Sequence, residues 1–181
     1  MEYRKAAARD ADAIAQLHAD SWRRNYRGAY SDAFLDGDVL TDRLAVWRAR
    51  LTQAAEDRCT VVAACDGSLA GFAHVLLDAD PTWGALLDNL HVTHTLKRRG
   101  IGARLMAEAA GAVLRLRPSS GLYLWVLEQN TAGQAFYEAL GGRCVELGVV
   151  PPPGGEPSRL SGAPSCLRYV WPDPSVLSPQ P

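Results

Sequence analysis

The run Lys97-Arg98-Arg99-Gly100-Ile101-Gly102-Ala103 carries the sharpest chemical signal in the chain. It follows an apolar β-type segment and opens a stretch of helical periodicity. Gly100 and Gly102 have no side chains, so the backbone N–H groups of that first turn are open to close approach by an anion. The first four amides of a helix have no intrahelical acceptor, and the macrodipole adds about half a positive charge there. Such a turn suits a phosphate or pyrophosphate, with Lys97, Arg98 and Arg99 adding cationic reach at its rim. A GxGxxG dinucleotide fingerprint would need glycine at 105, which is Leu, and the Walker pattern GxxxxGK[ST] is absent. Taken alone, the motif also reads as a glycine-containing turn with a solvated basic face.

Other residues of chemical interest are aromatic. Trp22 and Tyr26 lie four apart and share a helical face, Tyr30 and Phe34 follow in a loop, and Trp83 and Trp125 sit elsewhere. Tyr137 lies in an amphipathic segment, where a core aromatic is the plain reading. Cys59, Cys65, Cys144 and Cys166 form no CxxC pair and read as buried free thiols. The four histidines lack the short paired spacing of a zinc site, so no metal is expected.

The elements that must position these groups alternate in type. Residues 2–7 form a first strand. Asp10 caps a helix with Ile14, Leu17, His18, Ser21 and Trp22 on one face, ended by Arg27-Gly28. A second helical stretch runs over 41–55 with Leu40, Leu44, Trp47 and Leu51 as its stripe. β-type runs at 59–65 and 69–77 flank Asp66-Gly67, a type I′ hairpin signal, and 86–92 is a further strand. Then come a helix over 100–115, a strand at 122–127, a helix from Asn130 or Thr131 to Gly141-Gly142, and strands at 143–149 and 166–171. The Pro- and Gly-rich segment between the last two reads as a long surface loop. The chain's 181 residues suit one domain, spanning 1–171 with 172–181 as a flexible tail. The class is α/β, with a central mixed sheet and helices on both faces.

Composition excludes several functions. With 48% hydrophobic and 22% charged residues the chain is globular, not disordered. A formal net charge of −1 argues against a nucleic-acid binder, although Lys97-Arg98-Arg99 is a local basic patch. No apolar run approaches the ~20 residues that cross a bilayer, and the first twelve residues hold no apolar signal core. The expected compartment is the cytoplasm.

Two motifs in order carry a family resemblance. Leu90-His91-Val92 ends a strand, a short loop follows, and KRRGIG (97–102) opens a helix; later LEQNTAGQAFYEALGG (127–142) places Asn after a strand and Phe-Tyr and Leu-Gly in the next helix. The chain thereby resembles the GNAT superfamily of acetyl-CoA-dependent N-acetyltransferases over residues 1–171, with Lys97 where Arg or Gln is usual. The resemblance implies a mostly antiparallel sheet with a splayed central strand pair, and acetyl-CoA as co-substrate. It implies that the amides of Arg98, Arg99, Gly100, Ile101, Gly102 and Ala103 hold the pyrophosphate. It also implies that the main chain of Leu90, His91 and Val92 pairs with the pantetheine arm between 86–92 and 122–127, and that Asn130 contacts that arm. Tyr137 matches the general acid that protonates the departing thiolate.

The base is less defined by resemblance. Where members carry Glu, this chain has Leu86 and Trp125. Asp88, two residues after Leu86 and on the same strand face, is the nearest replacement; His91, Glu128 or a water held by main chain are alternatives. Trp22, Tyr26, Tyr30 and Trp125 are expected to wall the acceptor site. Aromatic walls with few acids suit a partly apolar small-molecule amine or a peptide N-terminus, not a polycation. A silent acetyl-CoA-binding module is the alternative function. Many relatives pair through terminal strands, so a homodimer is one expected assembly.

Overall fold

Continuous β-type runs at 58–65 and 68–80, buried on both faces, build an antiparallel hairpin, β2 (Arg58–Cys65) with β3 (Ser68–Asp80). Its Asp66 and Gly67 have φ of 49° and 77°, the two positive values a type I′ turn requires. The computed structural model of the chain describes residues 1–53 and 55–178. β1 (Glu2–Lys5) pairs with β2, and β4 (Gly84–Val92) with β3. β5 (Leu122–Leu127), β6 (Arg143–Val149) and β7 (Ser165–Trp171) complete one seven-stranded sheet in the order β1-β2-β3-β4-β5-β7-β6. Every pairing is antiparallel except β4 with β5.

Helices cover both faces. α4 (Ile101–Leu116) buries Leu105, Met106, Ala109 and Val113 against Val75, Leu87, Leu124 and Trp171. On the other face α1 (Ala11–Asn25) and α3 (Val39–Thr52) bury Ile14, Ala15 and Trp47 against Val62 and Phe72. A third cluster joins Trp22, Tyr30, Phe34 and Leu35 to Leu127 and Cys166. α5 (Thr131–Ala139) packs Tyr137 and, just past its end, Leu140 onto the α4 side.

β4 and β5 part almost at once. Only Ala85 with Leu122 and Leu86 with Tyr123 are paired. Gly84 stands at the closed end with φ of 84°, and a Cβ there would collide with Ser120 Oγ and lie 2.6 Å from the Gly121 carbonyl. Beyond Leu86 the β5-facing edge of β4 has no strand partner among the described residues. A bulge at Asp88 shifts the register, since His74 faces Asn89 while Val75 faces Leu87. The bulge reverses the alternation. Ala85 and Leu87 face α4 before it, Leu90 and Val92 after it, and His91 turns toward α1.

Several local expectations need correction. Asp10 does not cap α1 with its side chain; its carboxylate accepts the Ala7 N–H at 2.7 Å and pairs with Arg4. The segment around Phe34 forms a short helix, α2 (Asp32–Asp36), not a loop. The loop between β6 and β7 is strapped down: Ser31 and Ser161 N–H groups bond across to Arg159 and Ala29 carbonyls, and Arg159 pairs with Asp42 at 2.7 Å. Within the expected flexible tail, Pro174–Leu177 form a 3-10 turn whose Leu177 is buried in the α4 core, while positions 179–181 lie outside the described residues. Cys144, on the outer strand, is exposed.

Candidate active site

The start of α4 is built by two left-handed residues, Arg98 with φ of 62° and Gly100 with φ of 78°. Nothing crowds a Cβ at Gly100, so glycine is required there by backbone conformation and not by space. Gly102 differs, since a Cβ would meet the Phe136 ring at an ordinary 3.4 Å. The first intrahelical bond runs from the Arg104 N–H to the Gly100 carbonyl at 3.0 Å. Among the described residues the amides of Arg98, Arg99, Gly100, Ile101, Gly102 and Ala103 find no acceptor, no side chain caps them, and no acidic residue sits in the first turn. Six consecutive unsatisfied donors thus lie at the positive end of a helix dipole, an arrangement chemically suited to an anion.

Those donors join, through a 3-10 turn at His94–Leu96, to the free edge of β4. Leu90 and Val92 send their side chains into the α4 core, leaving main chain toward the opening. The His91 side chain points away from it, with Nδ1 2.8 Å from Ser21 Oγ and its ring 4.7 Å from that of His18. Burial, with Lys97 and Arg43 nearby, drives the His91 imidazole down to about 3. The ring is therefore neutral at pH 7, which makes it a poor proton acceptor. His18 is held low as well, chiefly by burial, and its Nδ1 accepts the Trp47 indole N–H at 3.0 Å.

Across the opening, α5 presents Asn130 and Tyr137. The Asn130 Oδ1 accepts the Gly133 N–H at 3.0 Å, so this side chain caps the helix. Tyr137 is half-buried, with its ring 6.0 Å from Tyr169 and 6.1 Å from Trp171. Its hydroxyl has no partner among the described residues. Burial raises the phenol, and the nearby Tyr26 raises it further.

The four aromatic residues expected at the acceptor side converge in one cluster. Trp22 and Tyr30 are core members at 6% and 8% exposure, whereas Tyr26 and Trp125 are half-buried and present a face outward. Burial first, then Asp88, pushes the Tyr26 phenol up to about 12. Asp88, at the bulge, accepts from Arg50 Nη1 at 2.9 Å, and Asn89 Oδ1 lies 3.3 Å from the same nitrogen. Glu128 is exposed.

Three arginines of this region lie outside the residues singled out from the sequence. Arg50 reaches Asp88 from α3, Arg43 lies 4.3 Å over the Trp22 ring, and Arg168 on β7 lies 4.5 Å over Trp125. Only Arg50 had a local clue, its place one turn beyond Trp47 on a helix. Surface hollows of 640 Å³ near Glu2 and Asp66, and of 550 Å³ beside Gly84 and Gly121, lie away from the strand opening. Among the described residues no three His, Cys, Asp or Glu side chains gather as a metal would need, and no helix is long and apolar enough to cross a membrane.

Comparison with known proteins agrees with this geometry. The model of the acetyltransferase (GNAT) family matches residues 11–142. The uncharacterized N-acetyltransferase YuaI of Bacillus subtilis (strain 168) is 28% identical over 140 residues, 75% of this chain and 76% of that protein. The PaiA N-acetyltransferase of Thermoplasma acidophilum, solved in complex with coenzyme A, shares the fold with a TM-score of 0.70 at 20% identity, over 94% of this chain and 98% of that one. YncA of Salmonella typhimurium, solved with acetyl-CoA, shares it with a TM-score of 0.64 at 18% identity, over 94% and 92%. With most of its length matched by the family model, the chain belongs to the GNAT acetyltransferase family and is an N-acetyltransferase.

Proposed function

We propose that the chain transfers the acetyl group of acetyl-CoA to a primary amine by direct attack within a ternary complex. One observation carries the reading: the unsatisfied amides of Arg98–Ala103 run on into the unpaired edge of Leu90–Val92. A single extended ligand can set a pyrophosphate on the first and hydrogen-bond to the second as an added strand. Acetyl-CoA has that form, with a diphosphate, an arm bearing amides and a thioester at its end. A free N–H of the β4 edge then polarises the thioester carbonyl and stabilises the tetrahedral oxyanion. The Asn130 side-chain N–H₂, left over from capping α5, is the group that contacts the arm.

The amine nitrogen attacks the carbonyl carbon, a C–N bond forms, and the C–S bond breaks. Tyr137 gives its phenolic proton to the departing sulfur. A phenol of pKa about 10 or above is protonated at neutral pH, so it holds the proton the sulfur takes; the transfer to a thiolate of pKa about 8.5 runs uphill and is drawn forward by the breaking C–S bond. The proton lost by the amine passes toward Asp88, which Arg50 holds at the bulge on the acceptor face; the neutral, inward-turned His91 serves packing instead. With Trp125 where a carboxylate would bind a peptide's charged terminus, a small-molecule acceptor is favoured over a protein.

Calorimetry on the purified chain tests the reading at its root. Coenzyme A is expected to bind with heat release and to compete with inorganic pyrophosphate. No heat at millimolar coenzyme A would sink the assignment, and binding without any amine-dependent thiol release would make the protein a sensor.

A further inference from the structure

We infer that Arg50 is a positioning residue for acetyl transfer: it clamps the bulge in β4 and so decides which main-chain amides face the opening between β4 and β5. This rests on the acetyl-transfer reading above and concerns the strand edge on which that reading sets the pantetheine arm. Two hydrogen bonds show what the bulge does. Before it, the Ala85 N–H turns to the β5 side and donates to the Gly121 carbonyl at 3.0 Å. After it, the Thr93 N–H turns to the other side and donates to the Ala70 carbonyl of β3 at 2.8 Å. Positions 85 and 93 are an even number of residues apart, so plain alternation would turn both N–H groups the same way. The extra residue, Asp88, inverts the order, since His74 faces Asn89 while Val75 faces Leu87. Counting back from Thr93, the N–H groups of Val92 and Leu90 point into the opening. With no bulge they would turn to β3, and the amides of Asn89 and His91 would face the opening instead.

The clamp comes from α3. The bulge sets two successive side chains on one face of the strand, and a single nitrogen, Arg50 Nη1, donates to both, at 2.9 Å to Asp88 Oδ2 and 3.3 Å to Asn89 Oδ1. Asn89 Nδ2 closes back onto the Asp88 carbonyl at 2.6 Å. The guanidinium of Arg50 lies 5.1 Å over the Trp47 ring, and Trp47 meets the His74 ring edge-on at 5.2 Å. His74 is the residue opposite Asn89, and its Nδ1 lies 2.7 Å from Thr60 Oγ1. Arg50 thus grips the bulged strand while resting on the ring that packs against the residue across from it. Without that grip the bulge is held by packing alone. A shift of about an ångström there misplaces the amides on which the thioester depends, and such misplacement can cost about 10²-fold in rate. The clamp acts on main chain, so it does not require Asp88 to be the base.

The test uses the full chain with Arg50→Ala and with Arg50→Gln, the second keeping part of the stem on Trp47. Calorimetry with two probes separates the strand edge from the helix start. Coenzyme A is expected to bind both variants about threefold or more weakly. Inorganic pyrophosphate, whose site is the run of amides at Arg98–Ala103, is expected to bind as to the parent. The kcat for amine-dependent thiol release should fall at least about tenfold. Amide hydrogen exchange at Asn89 should quicken at least about tenfold while that at Val62, in β2, holds. Parental coenzyme A affinity with parental Asn89 exchange overturns the clamp. So does an equal loss of coenzyme A and pyrophosphate binding, which marks a general loss of structure or of positive charge. If the parent releases no thiol with a panel of amines, acetyl transfer fails, while the split between the two probes and the exchange at Asn89 still judge the clamp.

Discussion

Replacing Tyr137 with Phe removes one oxygen from a ring that otherwise keeps its place. The ring packs against Tyr169 and Trp171, and those contacts survive. The hydroxyl has no partner among the described residues, so its loss leaves no donor or acceptor stranded. The stability change is therefore expected within about 1 kcal/mol, in contrast to the 1–3 kcal/mol typical when a buried partner is orphaned. Coenzyme A affinity should hold, because the amides at Arg98–Ala103 and the β4 edge are untouched. Turnover should fall at least about tenfold, or about 1.4 kcal/mol in the barrier, since general acids contribute about 10²–10⁴. Burial raises this phenol above its ordinary value, so in the parent the acid stays loaded through the neutral range and no loss of kcat assignable to it appears below about pH 10. Thiol release under saturating substrates, with calorimetry and thermal melts on the same samples, reads all three quantities. An unchanged kcat refutes the acid. So does a loss of activity that tracks a lowered melting temperature, because that is the signature of a core aromatic.

Asp88→Asn should abolish the pH dependence of kcat/KM that the parent owes to its base while leaving coenzyme A binding intact; a profile shared by both proteins removes Asp88 from the mechanism. Acid should destabilise the fold through its buried histidines. His74 and His91 are held to about 3, chiefly by burial, and an unfolded histidine titrates near 6.5. The unfolded chain then binds protons the folded one refuses, so stability is full above about pH 6.5 and falls as pH drops toward 3. At pH 5 the loss is about 2 kcal/mol for each of these two rings, measurable by urea melts at pH 7 and 5; equal midpoints would show that the rings are not buried neutral.

The strands and helices could be read almost residue by residue because their signals are local. Asp66-Gly67 takes two positive φ values wherever it sits, and the change from period two to period 3.6 after Val92 needs only neighbouring side chains. The amide cradle was legible for the same reason, since Gly100 and an uncapped helix start lie within one turn of chain. Asp88 and the aromatic quartet could be named but not arranged.

Other features followed from contacts that no local pattern encodes. The bulge at Asp88 depends on how β4 registers with β3, and it turns His91 from a candidate base into a buried neutral ring. The partners Arg50 and Arg168 come from 38 and 88 residues away from the carboxylates they meet, and the strap and tail settle only once α2 and α4 exist to receive them. Sequence alone thus determined which backbone conformations were accessible and where a run of unpaired helix-start amides would lie. Tertiary packing decided which charges cancel and which faces stay free, because electrostatic pairing and burial act through space and not along the chain.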